Sequence, residues 1–440
     1  MNIRDKQILK IALPSIVSNI TVPLLSLVDV AIVGHLGAPS YIGAIAVGGL
    51  MFNVIYWLFA FLRMGTTGMT SQALGQRDLA ETVRMIMRAL IVGLSVSFLL
   101  LLLQRPLSAG VLALLSPSAD VVGFASAYYS ICIWGAPAVL SLYAFSGWFV
   151  GMQNSRAPMA IAIVQNVVNI QASLLFVYVF GMKVEGVALG TLIAQYAGVA
   201  MALAIWMRHY RRLLKFGKLS LRNVIGVEAR ATMLRFFKVN TDIFFRTLCI
   251  VAVTMFFTSA SAAQGDVMLA VNTLLTQFFT IFSYVMDGFA FAGEALAGKA
   301  VGAHNRAMFS SVVGRLFLWG TSVALLFTAA YSLGGYSFIG MLTNEAEVVA
   351  VAADYLPVVA LLPLCAFTGF VMDGIFIGAT ATRQMLISML VALAVFFIVY
   401  SLASAPLGNY GLWTAFLTYL FTRGAAQLFL FRMCGHRLCF

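Results

Sequence analysis

Apolar runs of about 20 residues recur along the whole of this chain, and nothing else in it restricts the fold as severely. A run of that length crosses the hydrocarbon of a bilayer as a helix. Every backbone N–H and C=O inside must then be satisfied within the segment. Twelve such segments are expected, near residues 9–33, 43–74, 85–104, 122–149, 158–181, 186–207, 233–259, 268–300, 309–332, 347–377, 385–404 and 410–433. The composition agrees: 62% of residues are apolar and 10% charged, against about 25% charged in soluble domains. The 440 residues leave no room for a separate soluble domain. The first run is too long for a signal-peptide core, and no small-residue cleavage site follows it. It reads as a retained helix of an all-α integral membrane protein.

Lysine and arginine set the expected orientation. The even-numbered connections and the termini hold Arg4, Lys6, Lys10, Arg77, Arg84, Arg88, Arg156, Lys299, Arg306, Arg315, Arg383, Arg432 and Arg437. The connection after the sixth segment adds Arg208, Arg211, Arg212, Lys215, Lys218, Arg222 and Arg230. The odd-numbered connections hold only Arg105 and Lys183. Both termini are therefore expected in the cytoplasm. The net charge of +12 lies at helix ends on one side of the membrane rather than on one soluble face, so a nucleic-acid partner is not expected.

The long polar connection falls midway and divides the chain into residues 1–207, a linker 208–232 and residues 233–440. The halves match at an offset of 227: Tyr128 with Tyr355, and Gly147, Phe149, Gly151 and Arg156 with Gly374, Phe376, Gly378 and Arg383. Six helices in each half give both repeats the same orientation. Two pseudo-symmetric six-helix lobes with a cavity between them are a transporter architecture.

Polar groups inside the apolar runs are the candidate functional residues. Asp29 stands in the first run; an ionisable side chain there costs about 2.5–3.5 kcal/mol on insertion scales and is by default a functional site. It reads as the ion-coupling residue, with Pro14 and Pro23 before it permitting a bend. Asn166, Asn169 and Ser173 share one face of the fifth helix by their spacing, and Thr191 lies in the sixth. In the second half Lys238, Asp242 and Arg246 follow i, i+4, i+8 spacing and are expected to form a salt-bridge ladder. Asp287 and Glu294 share a face of the eighth helix, Asp373 lies in the tenth and Arg423 in the twelfth, where an acid can pair with the arginine. With Arg63 of the second helix they are candidates for substrate or proton handling. The 35 Phe, 15 Tyr and 21 Met would suit flat, apolar cations if they lined a cavity.

No nucleophile, zinc or nucleotide-loop pattern is present, so neither an enzyme nor ATP-driven transport is expected. An ion gradient remains as the energy source. The five cysteines form no CxxC, and Cys434, His436 and Cys439 read as a solvated tail; no metal and no cofactor are expected.

Ile20-Thr21-Val22-Pro23-Leu24-Leu25-Ser26-Leu27-Val28-Asp29 with Gly34-His35-Leu36 resembles the DinF branch of the multidrug and toxic compound extrusion (MATE) family. Phe61-Leu62-Arg63-Met64-Gly65-Thr66-Thr67-Gly68, Asp287-Gly288-Phe289-Ala290 and Met372-Asp373-Gly374-Ile375-Phe376-Ile377-Gly378-Ala379-Thr380 carry the same resemblance across both halves. It implies a monomeric inner-membrane antiporter that exports amphipathic, often cationic compounds, with Asp29 in the place of the family's coupling acid. Asn169 and Thr191 fit two further positions of the family's amino-terminal-lobe site, and Ser173 stands where many members carry a second Asp. The lost formal charge weakens a sodium site, and a lone carboxylate taken out of water suits proton exchange. Protons are the expected coupling ion, with sodium at the same site and a lipid-linked precursor flippase as the alternatives.

Overall fold

The computed structural model describes residues 3–34, 39–115, 119–217, 230–343 and 345–438. His35, Leu36, Lys218, Arg222 and Cys439, named above, lie outside the described residues, as do the side chains of Cys434 and His436. The helices are α1 (Ile3–Gly34), α2 (Pro39–Leu58), α3 (Phe61–Gly75), α4 (Leu79–Leu102), α5 (Gln104–Leu115), α6 (Ala119–Cys132), α7 (Ala136–Gly151), α8 (Arg156–Leu174) and α9 (Val184–Tyr210). A short α10 (Leu214–Gly217) follows, then α11 (Arg230–Ala262), α12 (Asp266–Gly302), α13 (Arg306–Leu342), α14 (Ala346–Val359), α15 (Leu362–Gly378), α16 (Thr382–Leu407) and α17 (Asn409–Leu438). Nine helical stretches among the described residues are long and apolar enough to cross a membrane, and α14 with α15, bent by 53° at their junction, make a tenth. With α1 and α17 they account for the twelve expected segments.

The internal repeat extends to the helix ends. Shifting the bounds of α2 and α3 together (39–75) by 227 gives 266–302, the bounds of α12. The same shift takes α4 with α5 (79–115) onto α13, and α6 through α7 (119–151) onto α14 through α15. The turn chemistry repeats with it. Asp78 caps α4 by accepting from the Glu81 N–H at 2.8 Å, and Asn305 caps α13 by accepting from the Met308 N–H at 2.8 Å. Left-handed residues end the preceding helices at Arg77 (φ 60°) and His304 (φ 49°), and again at Gln153 (φ 64°) and Thr380 (φ 54°), each pair 227 apart.

Close helix approach repeats as well. A Cβ on Gly147 would sit 2.3 Å from the Arg63 carbonyl, and one on Gly374 would sit 2.3 Å from the Ala290 carbonyl. Small residues at these positions let α7 lie against α3, and α15 against α12, backbone to backbone.

The chain divides into two compact units, Val17–Phe237, and Met1–Ile16 with Lys238–Phe440. These bounds differ from the expected 1–207 and 233–440 because the first helix of each repeat begins in one unit and continues in the other. In the second unit Asp5 is buried, accepts from Trp319 Nε1 at 3.3 Å and pairs with Arg315 at 3.7 Å. In the first, Arg235 donates to Gln72 Oε1 at 2.8 Å and Phe236 is fully buried in the core.

Candidate ion-coupling site

Within the Val17–Phe237 unit the polar residues of α1, α8 and α9 meet. Asp29, on α1, is 6% exposed, and Asn169 and Ser173, on α8, are fully buried. Asn169 Nδ2 donates to Thr191 Oγ1 at 3.0 Å, which ties α8 to α9. Thr191 also faces the Asp29 carboxylate. Ser173 Oγ lies against Gly190, where a Cβ would come within 2.3 Å of it; glycine at 190 is what lets the two helices close here. A π turn at Leu175–Val179 follows Ser173 directly, an irregularity that often marks functional sites.

Three oxygens of this group are buried without a hydrogen-bond partner: Asp29 Oδ1, Asn169 Oδ1 and Ser173 Oγ. Among the described residues no lysine or arginine forms an ion pair with Asp29. A buried oxygen left unpaired costs about 1–3 kcal/mol, more when charged, so the group is suited to take up a proton or a small cation.

Asn166 is placed differently from its neighbours. Its Nδ2 donates to the Thr21 carbonyl at 2.9 Å, two residues before Pro23. It therefore holds α8 to the backbone of α1 rather than adding an oxygen beside Asp29.

Two neighbouring residues of α6 were not proposed for the site from the sequence: Tyr128, named there only for the repeat, and Cys132. Tyr128 faces Cys132, Thr191 and Asp29. Cys132 Sγ also donates to the Ala188 carbonyl at 3.7 Å. Their i, i+4 spacing puts both polar tips on one face of an otherwise apolar helix, and that spacing was the available signal.

The repeat supplies an internal control. The positions 227 residues beyond Asp29, Asn169 and Ser173 are Phe256, Phe396 and Tyr400. Phe256 packs edge-on against Phe396 with ring centroids 5.8 Å apart, and against Tyr400 at 4.9 Å. The backbone frame that carries a polar group in the first repeat carries an aromatic cluster in the second.

The second unit has its own polar centre elsewhere. Asp373 Oδ2 accepts from both Arg246 and Arg423, and Gln427 Nε2 donates to Asp373 Oδ1 at 2.5 Å. All four are buried, and Arg423 also lies over the Phe370 ring at 5.4 Å. Asp287, half-buried on α12, faces both arginines. The pairing of Asp373 with Arg423 was among those anticipated; Arg246 and Gln427 were not. Gln427 is four residues beyond Arg423 and so shares its face.

The expected ladder Lys238–Asp242–Arg246 is not formed. Asp242 accepts from Thr382 Oγ1 at 3.0 Å and pairs with Arg383 at 3.8 Å, while Arg246 turns to Asp373. Partners on neighbouring helices give a buried carboxylate both charge and hydrogen bonds, and these outweigh an i, i+4 pair worth about 0.2–0.5 kcal/mol. Glu294 is buried seven residues along α12 from Asp287. Arg63 is half-buried on α3 and faces Tyr143. Among the described residues no three His, Cys, Asp or Glu side chains form a metal-binding group.

Known proteins are similar to this chain in sequence and in fold. A profile of the MatE family matches residues 14–175 and 243–402. The chain is 35% identical over 429 residues to DNA damage-inducible protein F of Escherichia coli K12, covering 97% of this chain and 92% of that protein. It is 25% identical to a probable multidrug resistance protein NorM of Bradyrhizobium diazoefficiens, covering 98% of this chain and 93% of the relative. The crystal structure of the Vibrio cholerae MATE transporter VcmN in the bent form is 18% identical, covers 99% of this chain and 98% of its own, and superposes with a TM-score of 0.86. A MATE structure in the bent conformation gives a TM-score of 0.87 at 18% identity, covering 99% of this chain and 96% of its own.

Proposed function

Because the chain belongs to the MatE family of multidrug and toxic compound efflux transporters, and is a transporter rather than an enzyme, we propose that it is a secondary antiporter exchanging protons for amphipathic, often cationic compounds through Asp29. The observation that carries this reading is a carboxylate buried in a membrane helix with one oxygen unpartnered and, among the described residues, no ion pair to a lysine or arginine. Such a group can gain and lose a proton as its access to water changes. Asp373, held by two arginines and a glutamine, has no comparable freedom.

In the cycle we infer, ionised Asp29 favours the state that accepts cationic substrate from the cytoplasm. Protonation from outside removes its charge, and substrate leaves. Thr191 orients the carboxylate, Asn169 orients Thr191, and Asn166 fixes α1 against α8 through Thr21. The protein works in the inner membrane with both termini in the cytoplasm.

One observation favours a second reading. The free oxygens of Asn169 and Ser173, with Asp29 Oδ1, are a set that can ligate sodium. A lipid-linked precursor flippase is less well supported, since it calls for unneutralised buried cations, and Arg246 and Arg423 are paired with Asp373. Transport of a fluorescent organic cation in proteoliposomes, with pH and sodium gradients imposed separately, distinguishes the coupling ions. Transport under the pH gradient alone is expected. Transport that requires sodium and ignores the pH gradient refutes proton coupling.

A further inference from the structure

The end of α9 and the turn after it carry a basic face that the transport cycle does not use. A helix of 27 residues is about 40 Å long, against about 30 Å of hydrocarbon, so its last turns reach the headgroup layer. Tyr210 is fixed there: the Trp148 ring meets it edge-on with centroids 4.9 Å apart, and Asn154 Nδ2 donates to its hydroxyl at 3.0 Å. Leu213 and Leu214 pack on the same core. The intervening residues are therefore turned outward, and Arg208, Arg211, Arg212 and Lys215 are all exposed.

The acids of the neighbouring element are already engaged. α10 lies against α4, whose first turn holds Asp78 and Glu81. Asp78 pairs with Arg84 at 3.8 Å, and Glu81 pairs with Arg84 at 2.7 Å and Arg88 at 2.5 Å. Among the described residues no carboxylate forms an ion pair with Arg208, Arg211, Arg212 or Lys215. Two large apolar side chains flank the four cations, Met207 at 50% and Phe216 at 58% exposure.

We propose that this face binds the headgroups of anionic phospholipids in the adjoining leaflet. Arginine forks match phosphate oxygens in pairs. Clustered basic residues beside a membrane helix attract anionic lipid headgroups. Met207 and Phe216 enter the acyl boundary on either side of the charges, as apolar residues of interfacial segments do. The rigid anchor at Tyr210 fixes the guanidinium groups at headgroup depth, so the lipids are held at a defined place and not only in a diffuse layer.

The test is native mass spectrometry of the full chain released from vesicles of equal phosphatidylglycerol and phosphatidylcholine. The wild type should retain phosphatidylglycerol at least fivefold over phosphatidylcholine, and R211Q/R212Q/K215Q should bring the ratio near one. R211K/R212K should keep most of the preference, and R156Q/R432Q should leave it unchanged. An unaltered ratio in the triple variant, or an equal fall in R156Q/R432Q, overturns the proposal. Displacement of the lipid by excess inorganic phosphate at constant ionic strength would mark a free-phosphate site instead. Capture on heparin that the triple substitution abolishes, with the lipid ratio intact, would assign the face to a soluble polyanion.

Discussion

Asn169 donates its amide proton to Thr191 across 3.0 Å, and the bond turns Asn169 Oδ1 into the buried group around Asp29 without a partner of its own. The amide is thus divided, its nitrogen holding α8 to α9 and its oxygen left without a bond. Thr191→Val should remove the first and spare the second. Chemical unfolding in detergent should then show a loss of about 1 kcal/mol, the usual worth of one such bond, while the apparent affinity for the coupling ion changes more than maximal transport.

Asp29→Asn removes the proposed proton-carrying group and keeps its shape. Because Asp29 makes no ion pair among the described residues, the neutral side chain strands no buried cation. Expression and thermal stability should match the wild type, while efflux of a fluorescent cation from cells should fall at least tenfold.

Asp373 is the opposite case. Asp373→Ala leaves Arg246 and Arg423 buried with one carboxylate fewer, and breaking such a pair typically costs about 3–5 kcal/mol. The thermal midpoint should drop well below that of Asp29→Asn, and the yield of folded protein with it. A fully stable Asp373→Ala with impaired transport would show that this cluster handles substrate directly.

Ser173→Asp supplies a second buried carboxylate, one turn along α8 from Asn169. Two acids close together bind a shared cation better than one. Sodium-stimulated transport should appear or increase in proteoliposomes, and the response to a pH gradient should weaken. An unchanged ion requirement would place Ser173 outside the coordination sphere.

Much of the fold was legible because lipid leaves the backbone few options. The twelve runs, the offset of 227 and the glycines at 147 and 374 all carry through to the structure. Helix ends were less legible. The third run was expected to stop near 104 and α4 does end at Leu102, but a separate α5 follows to Leu115; the ninth was expected to stop near 332, yet α13 continues to Leu342. Hydropathy marks where a helix leaves lipid, not where its hydrogen bonding ends. The site was half legible. A carboxylate in an apolar run announces itself, as Asp29 did. The partner of a buried charge does not, because Arg246 is four residues from Asp242 in the chain but bonds to Asp373 127 residues away. The aromatic counterpart of the Asp29 group, Phe256 with Phe396 and Tyr400, follows from the offset only once the side chains are seen to meet.

The central claim is that Asp29 carries the proton that drives export. The most direct measurement is substrate-induced proton release from purified protein in weakly buffered detergent solution, wild type against Asp29→Asn. Close to one proton should be released per substrate bound by the wild type and none by the variant. Equal release from both would contradict it.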